Sequence, residues 1–101
     1  MTYRNTWRGT IVMKQIELTT NFAKNWKALR KKHYDYEKLN TVIELLATTT
    51  ELPGKYKDHA LYGNWQGYRE CHIEANWLLI YQTTETKLIL IATGTHDDLF
   101  K

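Results

Sequence analysis

Tyr68-Arg69-Glu70-Cys71-His72-Ile73, then Glu74-Ala75-Asn76, then Trp77-Leu78-Leu79-Ile80-Tyr81-Gln82, then a turn through Thr83, Thr84 and Glu85 into Lys87-Leu88-Ile89-Leu90-Ile91-Ala92-Thr93, decide the fold. Three short runs rich in β-branched, aromatic and apolar residues, parted by a few polar ones, read as three consecutive strands joined by tight turns. Connections this short suit antiparallel neighbours, because parallel strands need a long crossover. Just upstream, Leu52 to Gly67 carries Pro53, Gly54, Gly63 and Gly67 and shows no period. A connection of that length inside a small domain is usually functional or disordered. Leu52, Tyr56, Leu61 and Trp65 would pin it to the body, so an ordered, functional loop is expected.

Further upstream the period changes. Phe22, Trp26 and Leu29 recur at helical spacing, with Thr19, Thr20 and Asn21 as N-cap candidates. A second helix is expected after Asp35, with Tyr36, Leu39, Val42, Ile43 and Leu46 as its buried stripe. It should dissolve at Thr48, Thr49 and Thr50, ahead of the Pro53-Gly54 breaker. So few residues separate the helices that an antiparallel hairpin is expected. Ile11 to Leu18 reads as a first strand. The order β-α-α-β-β-β predicts an α+β domain, a two-helix hairpin packed on one face of a small, largely antiparallel four-stranded sheet.

With 101 residues there is room for one domain and a single modest core. Residues 13–101 are read as that domain. Residues 1–12 lack a clear period and are read as an N-terminal extension, with Met13 a candidate start. Four Trp and seven Tyr exceed the needs of so small a core, so some rings should lie at the surface, available to bases or a partner. No apolar run approaches the ~20 residues that cross a bilayer, so no membrane association is expected. Arg4 and Arg8 are not followed by an apolar stretch, so no secretory signal is expected. Cys71 is the single cysteine and can close no internal disulfide, which points to a reducing cytoplasm.

Charge is uneven along the chain. Residues 1–50 hold nine Lys/Arg against four Asp/Glu, and residues 51–101 hold five against seven. The cluster Lys24, Lys27, Arg30, Lys31 and Lys32 suits a polyanion or an acidic partner, or forms an ordinary solvated helix face. Three of the four histidines, His59, His72 and His96, lie in the loop-and-strand half. Histidine can take and give a proton near neutral pH. Cleavage of RNA by its own 2′-hydroxyl needs a base, an acid for the leaving 5′-oxygen and positive donors for the phosphorane. Histidines with Lys55, Lys57 and Arg69 are suitable parts. A single histidine is more often structural, and three in one half shift that balance moderately. No spacing resembles a metal-ligand pattern, so neither a metal nor a cofactor is expected.

Pro53-Gly54-Lys55-Tyr56-Lys57-Asp58-His59, then Gly63-Asn64-Trp65-Gln66-Gly67-Tyr68-Arg69-Glu70-Cys71-His72-Ile73-Glu74, then Trp77-Leu78-Leu79-Ile80-Tyr81, and finally Thr93-Gly94-Thr95-His96-Asp97-Asp98-Leu99-Phe100 occur as spaced blocks in one order. With them residues 13–101 resemble the YafQ branch of the RelE/ParE toxin superfamily. The resemblance implies the toxin half of a type II toxin–antitoxin system, a ribosome-dependent mRNA endoribonuclease (mRNA interferase) that needs no metal. It implies a cytoplasmic partner, a DinJ/RelB-like ribbon-helix-helix antitoxin, through which alone the toxin would meet operator DNA. By position His59 and His72 fall on the family's loop and strand histidines. His96 falls on its general acid, and Phe100 on the aromatic that stacks on or positions a nucleotide. Trp77 occupies a site-edge aromatic position, with a core role the alternative. Lys57 and Arg69 would bind RNA phosphates, and Lys27, Arg30 and Lys31 would face ribosomal RNA.

One position departs from the family. Asn76 stands where members often have Asp, and an amide cannot hold a proton at neutral pH. Either His59 or His72 then serves as base, or the variant is slower, or the residue was exchanged to disarm the toxin. Two rival functions stay open: a non-nuclease ParE-like toxin acting on DNA gyrase, and a weakened toxin serving as an antitoxin-binding co-repressor.

Overall fold

A computed structural model describes residues 13–48 and 51–100. The elements run β1 (Gln15–Leu18), α1 (Thr20–Lys31), α2 (Tyr36–Thr48), β2 (His59–Ala60), β3 (Arg69–Glu74), β4 (Trp77–Thr83), β5 (Lys87–Gly94) and α3 (His96–Phe100). Among the described residues the sheet has five strands in the order β1-β5-β4-β3-β2. Only β1–β5 is parallel. The class is therefore the expected α+β, with one strand more than predicted. The addition is β2, two residues long and inside the proline- and glycine-bearing loop, which is too short to show any period. The Met13 start and the extension lie outside the described residues, as do residues 11–12 of the expected first strand and Thr49 and Thr50 of the expected helix end.

Local chemistry explains the ends of the helices. The Thr19 hydroxyl accepts from the Phe22 amide and caps α1. The Asp35 carboxylate accepts from the Glu37 amide at the start of α2, as its cap position predicts. Both helices bury most of their stripes on one face of the sheet, but Tyr36, expected to be buried, is 54% exposed at the start of α2. Phe22 and Leu29 from α1 and Leu39, Val42, Leu46 and Ala47 from α2 pack with Cys71, Ile73, Trp77, Leu79, Tyr81, Leu88 and Leu90. Side chains alternate along a strand, so Glu70 and His72 in β3 and Leu78 and Ile80 in β4 point to the other face.

Two irregularities keep this alternation aligned with the core. Tyr81 pairs with Leu90 but Ile80 pairs with Ala92, so Ile91 is an extra residue in β5. That bulge lets Thr93, as well as Leu88 and Leu90, face the helices. The Ile91 carbonyl accepts from the Asn21 side chain at 2.9 Å and from the Thr19 hydroxyl at 3.2 Å. The start of α1 thus satisfies a backbone group that the bulge releases. A second shift in register, between His72 and Glu74, marks the turn into β4.

Candidate acid–base site

The face of the sheet away from the helices carries the histidines, at its solvent-reachable edge beyond the buried Leu78 and Ile80. His59 in β2 lies opposite Glu70 in β3, and His72 is two residues further along the same face of β3. The two imidazole centroids are 6.4 Å apart. Between them sits Glu70, its side chain only 8% exposed. One carboxylate oxygen, Oε1, lies 3.1 Å from His59 Nε2 and 3.7 Å from His72 Nε2. The other ring nitrogens also face oxygens: His59 Nδ1 is 2.7 Å from the Lys57 carbonyl and His72 Nδ1 is 3.3 Å from the Ala75 carbonyl. The side chain of His59 is 49% exposed and that of His72 25%, so both rings remain reachable from solvent.

His96 reaches the same end of the sheet by a different route. Leu78 pairs with His72 on one side and Gly94 on the other, so His72 and Gly94 are about 10 Å apart across two strand spacings. From Gly94 the chain turns into α3 through a reciprocal cap. The Thr95 hydroxyl accepts from the Asp98 amide, and the Asp98 carboxylate accepts from the Thr95 amide. A Cβ at Gly94 would come within 3.2 Å of the Asp98 side chain, so glycine lets the turn close. The backbone amide of His96 donates to Asn76 Oδ1 at 3.1 Å. The β3–β4 turn therefore holds His72 through Ala75 and His96 through Asn76. Phe100 stacks obliquely on His96 at 5.0 Å and meets Trp65 edge-on at 5.6 Å, which joins α3 to the long loop.

Two expected RNA contacts sit elsewhere. Arg69 precedes Glu70 and so faces the helices, where its Nη2 donates to Asp58 at 3.0 Å. The Tyr81 hydroxyl donates to the same carboxylate. That bond with Asp58 holds the Arg69 guanidinium charged to a still higher pH than usual; burial, and then the bond to Asp58, push the Tyr81 phenol up as well. Arg69 is thus an anchor for the residue beside His59 rather than a phosphate ligand on the open face. Trp77 is 1% exposed. It stacks on Trp26 at 6.2 Å, takes the edge of Tyr34 at 4.9 Å and donates Nε1–H to Thr93 Oγ1 at 2.9 Å. It cannot stack on a base, because it alternates in phase with Leu79 and Tyr81. The core alternative for this residue holds.

Lys57 remains beside the site. Its backbone takes the left-handed conformation, φ 49°, and presents its carbonyl to His59. Lys27, Arg30 and Lys31 are exposed on α1, a helix that covers the sheet face away from the histidines. Sequence reasoning missed Glu70. Its spacing of two from His72, inside a strand, was the available signal. It missed α3 too, although Thr95 and Asp98 stand at capping-box spacing. Among the described residues no group of three or more His, Cys, Asp or Glu side chains is arranged to hold a metal ion. No described helix is long and apolar enough to cross a membrane.

Fold and site together define a small α+β protein with two histidines around a buried carboxylate on the sheet face away from the helices, beside a C-terminal helical turn. A family profile described as bacterial toxin of type II toxin–antitoxin system, YafQ, matches residues 14–101. The chain belongs to that family. It is 42% identical over 91 residues, 89% of this chain and 99% of the other, to a protein of Escherichia coli K12 named mRNA interferase toxin YafQ. It is similar to a crystal structure of the E. coli DinJ–YafQ toxin–antitoxin complex, with a TM-score of 0.82, 42% identity and coverage of 89% of this chain and 100% of the other. A copper-bound mutant toxin from Helicobacter pylori matches with a TM-score of 0.83 at 36% identity, over 87% of this chain and 100% of that one.

Proposed function

We propose that this toxin is a ribosome-dependent mRNA endoribonuclease that works by histidine acid–base chemistry without a metal. The observation that carries the reading is the placing of two solvent-reachable imidazoles around a buried carboxylate, with His96 and Phe100 held at the same end of the sheet. The name of the E. coli relative supports the substrate. In this reading His59 or His72 takes the proton of the 2′-hydroxyl, whose oxygen attacks phosphorus. The phosphorus–5′-oxygen bond breaks, and His96 gives a proton to the departing oxygen. A 2′,3′-cyclic phosphate results, which water can open to a 3′-phosphate. Phe100 would stack on the nucleotide at the cut, Lys57 would meet a phosphate, and Lys27, Arg30 and Lys31 would rest on ribosomal RNA.

The partner in this reading is a DinJ-like antitoxin, as in the E. coli complex, and operator DNA is met only through it. Brief expression followed by primer extension on cellular mRNA tests the activity. Sharp in-frame cuts by the wild type, abolished by His96→Ala and, in a purified ribosome assay with Mg²⁺ held constant, unchanged by a chelator selective for transition metals, are expected. Absence of cuts, or cuts that persist in His96→Ala, would sink the proposal; gyrase-dependent DNA damage without cuts would favour the ParE-like action instead. Asn76→Asp is included because either side chain offers Oδ1 to the His96 amide. Cleavage within about threefold of wild type is expected, since the Oδ1 acceptor for the His96 amide is retained, now as a charge-assisted bond.

A further inference from the structure

On the ribonuclease reading of this site, we propose that Glu70 is its positioning residue, a single carboxylate oxygen that orients the imidazoles of both His59 and His72. A neutral imidazole has one N–H donor and one acceptor nitrogen, whereas carbonyl and carboxylate oxygens only accept. His59 faces the Lys57 carbonyl with Nδ1 and Glu70 Oε1 with Nε2. His72 faces the Ala75 carbonyl with Nδ1 and the same Oε1 with Nε2. Each ring therefore has an oxygen on both sides but only one N–H to give, so the ring that takes the 2′-hydroxyl proton does so at the nitrogen whose lone pair faces an oxygen here, once RNA displaces that contact.

Glu70 is suited to that task because it is rigid and nearly sealed. The residue is 6% exposed and belongs to β3, paired on one side with β2 and on the other with β4. A buried carboxylate needs donors, and the two Nε2 atoms are the ones disposed around Oε1. Their distances differ: His59 is within hydrogen-bond range, while His72 stands at ion-pair range. Nearly sealed, Glu70 presents Oε1 to the two rings. It acts through the two rings, setting their direction before RNA arrives, which is where orientation lowers a barrier.

The test uses the full-length toxin with Glu70→Ala and Glu70→Gln, the second keeping a carbonyl oxygen and the side-chain volume. Imidazole N–H resonances of His59 and His72 are read by nitrogen-edited NMR without RNA, and kcat and KM are read on programmed ribosomes. The wild type should show an Nε2–H signal protected from exchange on His59, and a less protected one on His72 at its longer distance. Glu70→Ala should lose them and lower kcat by roughly tenfold or more with KM within about twofold. Glu70→Gln should fall between the two. Signals that persist in Glu70→Ala, or kcat that is unchanged in both variants, would overturn the assignment. If the wild type cleaves no mRNA yet the ring signals vanish in Glu70→Ala, the positioning role stands and the nuclease reading falls.

Discussion

His33 and Lys57 are the two described residues other than glycine with positive φ, at 67° and 49°. They have different reasons for it. His33 follows the end of α1, where its amide donates to the Arg30 carbonyl and the next amide, of Tyr34, donates to Leu29. This is the left-handed ending that glycine normally supplies. The fourth histidine is thus a chain-reversal residue and takes no part in the open-face cluster. An L side chain there costs about 1 kcal/mol that glycine would not. His33→Gly should raise the thermal midpoint by a few degrees and leave mRNA cleavage as it was, measured by melting and by the ribosome assay. Lys57 uses the same conformation to aim a carbonyl at His59, the kind of local strain that gathers at working sites.

At the scale of elements, the loop from Pro53 to Gly67 is ordered by ties that run through the sheet. Two single 3₁₀ turns, Gly54–Tyr56 and Gly63–Trp65, bracket β2. Asp58 receives Arg69 from β3 and Tyr81 from β4 on the helix side, while its neighbour His59 meets Glu70 on the open side. One residue pair therefore stitches the loop to both faces. Asp58→Asn weakens this tie by removing the charge that Arg69 pairs with. Backbone amides of residues 59–62 should then exchange with solvent measurably faster than in wild type, with α1 and α2 unaffected. Equal protection in both proteins would count against Asp58 as the anchor.

Across the whole molecule, the sheet separates two functional surfaces. The basic residues of α1 lie over one face and the histidines over the other, so on the proposed reading the charge cluster would serve docking rather than chemistry. Neutralising Lys27, Arg30 and Lys31 together should lower toxicity and flatten the salt dependence of ribosome binding by up to about three phosphate contacts, with the melting curve unchanged. The buried core also ties stability to pH. Burial, then the charges of Asp58 and Glu70, raise the Cys71 thiol well above its ordinary value of 9.0. The unfolded chain then gives up this proton at a lower pH than the native one. Stability from this group is complete below pH about 9 and is lost as pH rises beyond it. Thermal midpoints should fall between pH 9 and 11, and less steeply in Cys71→Ala; equal slopes would remove Cys71 from the account.

Much of this was open to reading along the chain. Phe22, Trp26 and Leu29 at helical spacing, Thr19 and Asp35 at caps, and three apolar runs with short turns set both helices and three strands, because those signals are local in range. The histidines and Phe100 were legible as residue types in family blocks, and His59, His72 and His96 do reach one end of the sheet. What the linear order left open were matters of face and partner. Trp77 and Arg69 went to the helix side, Glu70 came between two imidazoles, and Asn76 became an acceptor for the His96 amide. Each outcome depends on how distant segments pair, and a shift of one residue in register sends a side chain to the opposite surface. Sequence alone settled the two long helices, the four longer strands and which residue types are present. Tertiary pairing alone settled which side chains meet, because register is set by packing between segments far apart in the chain.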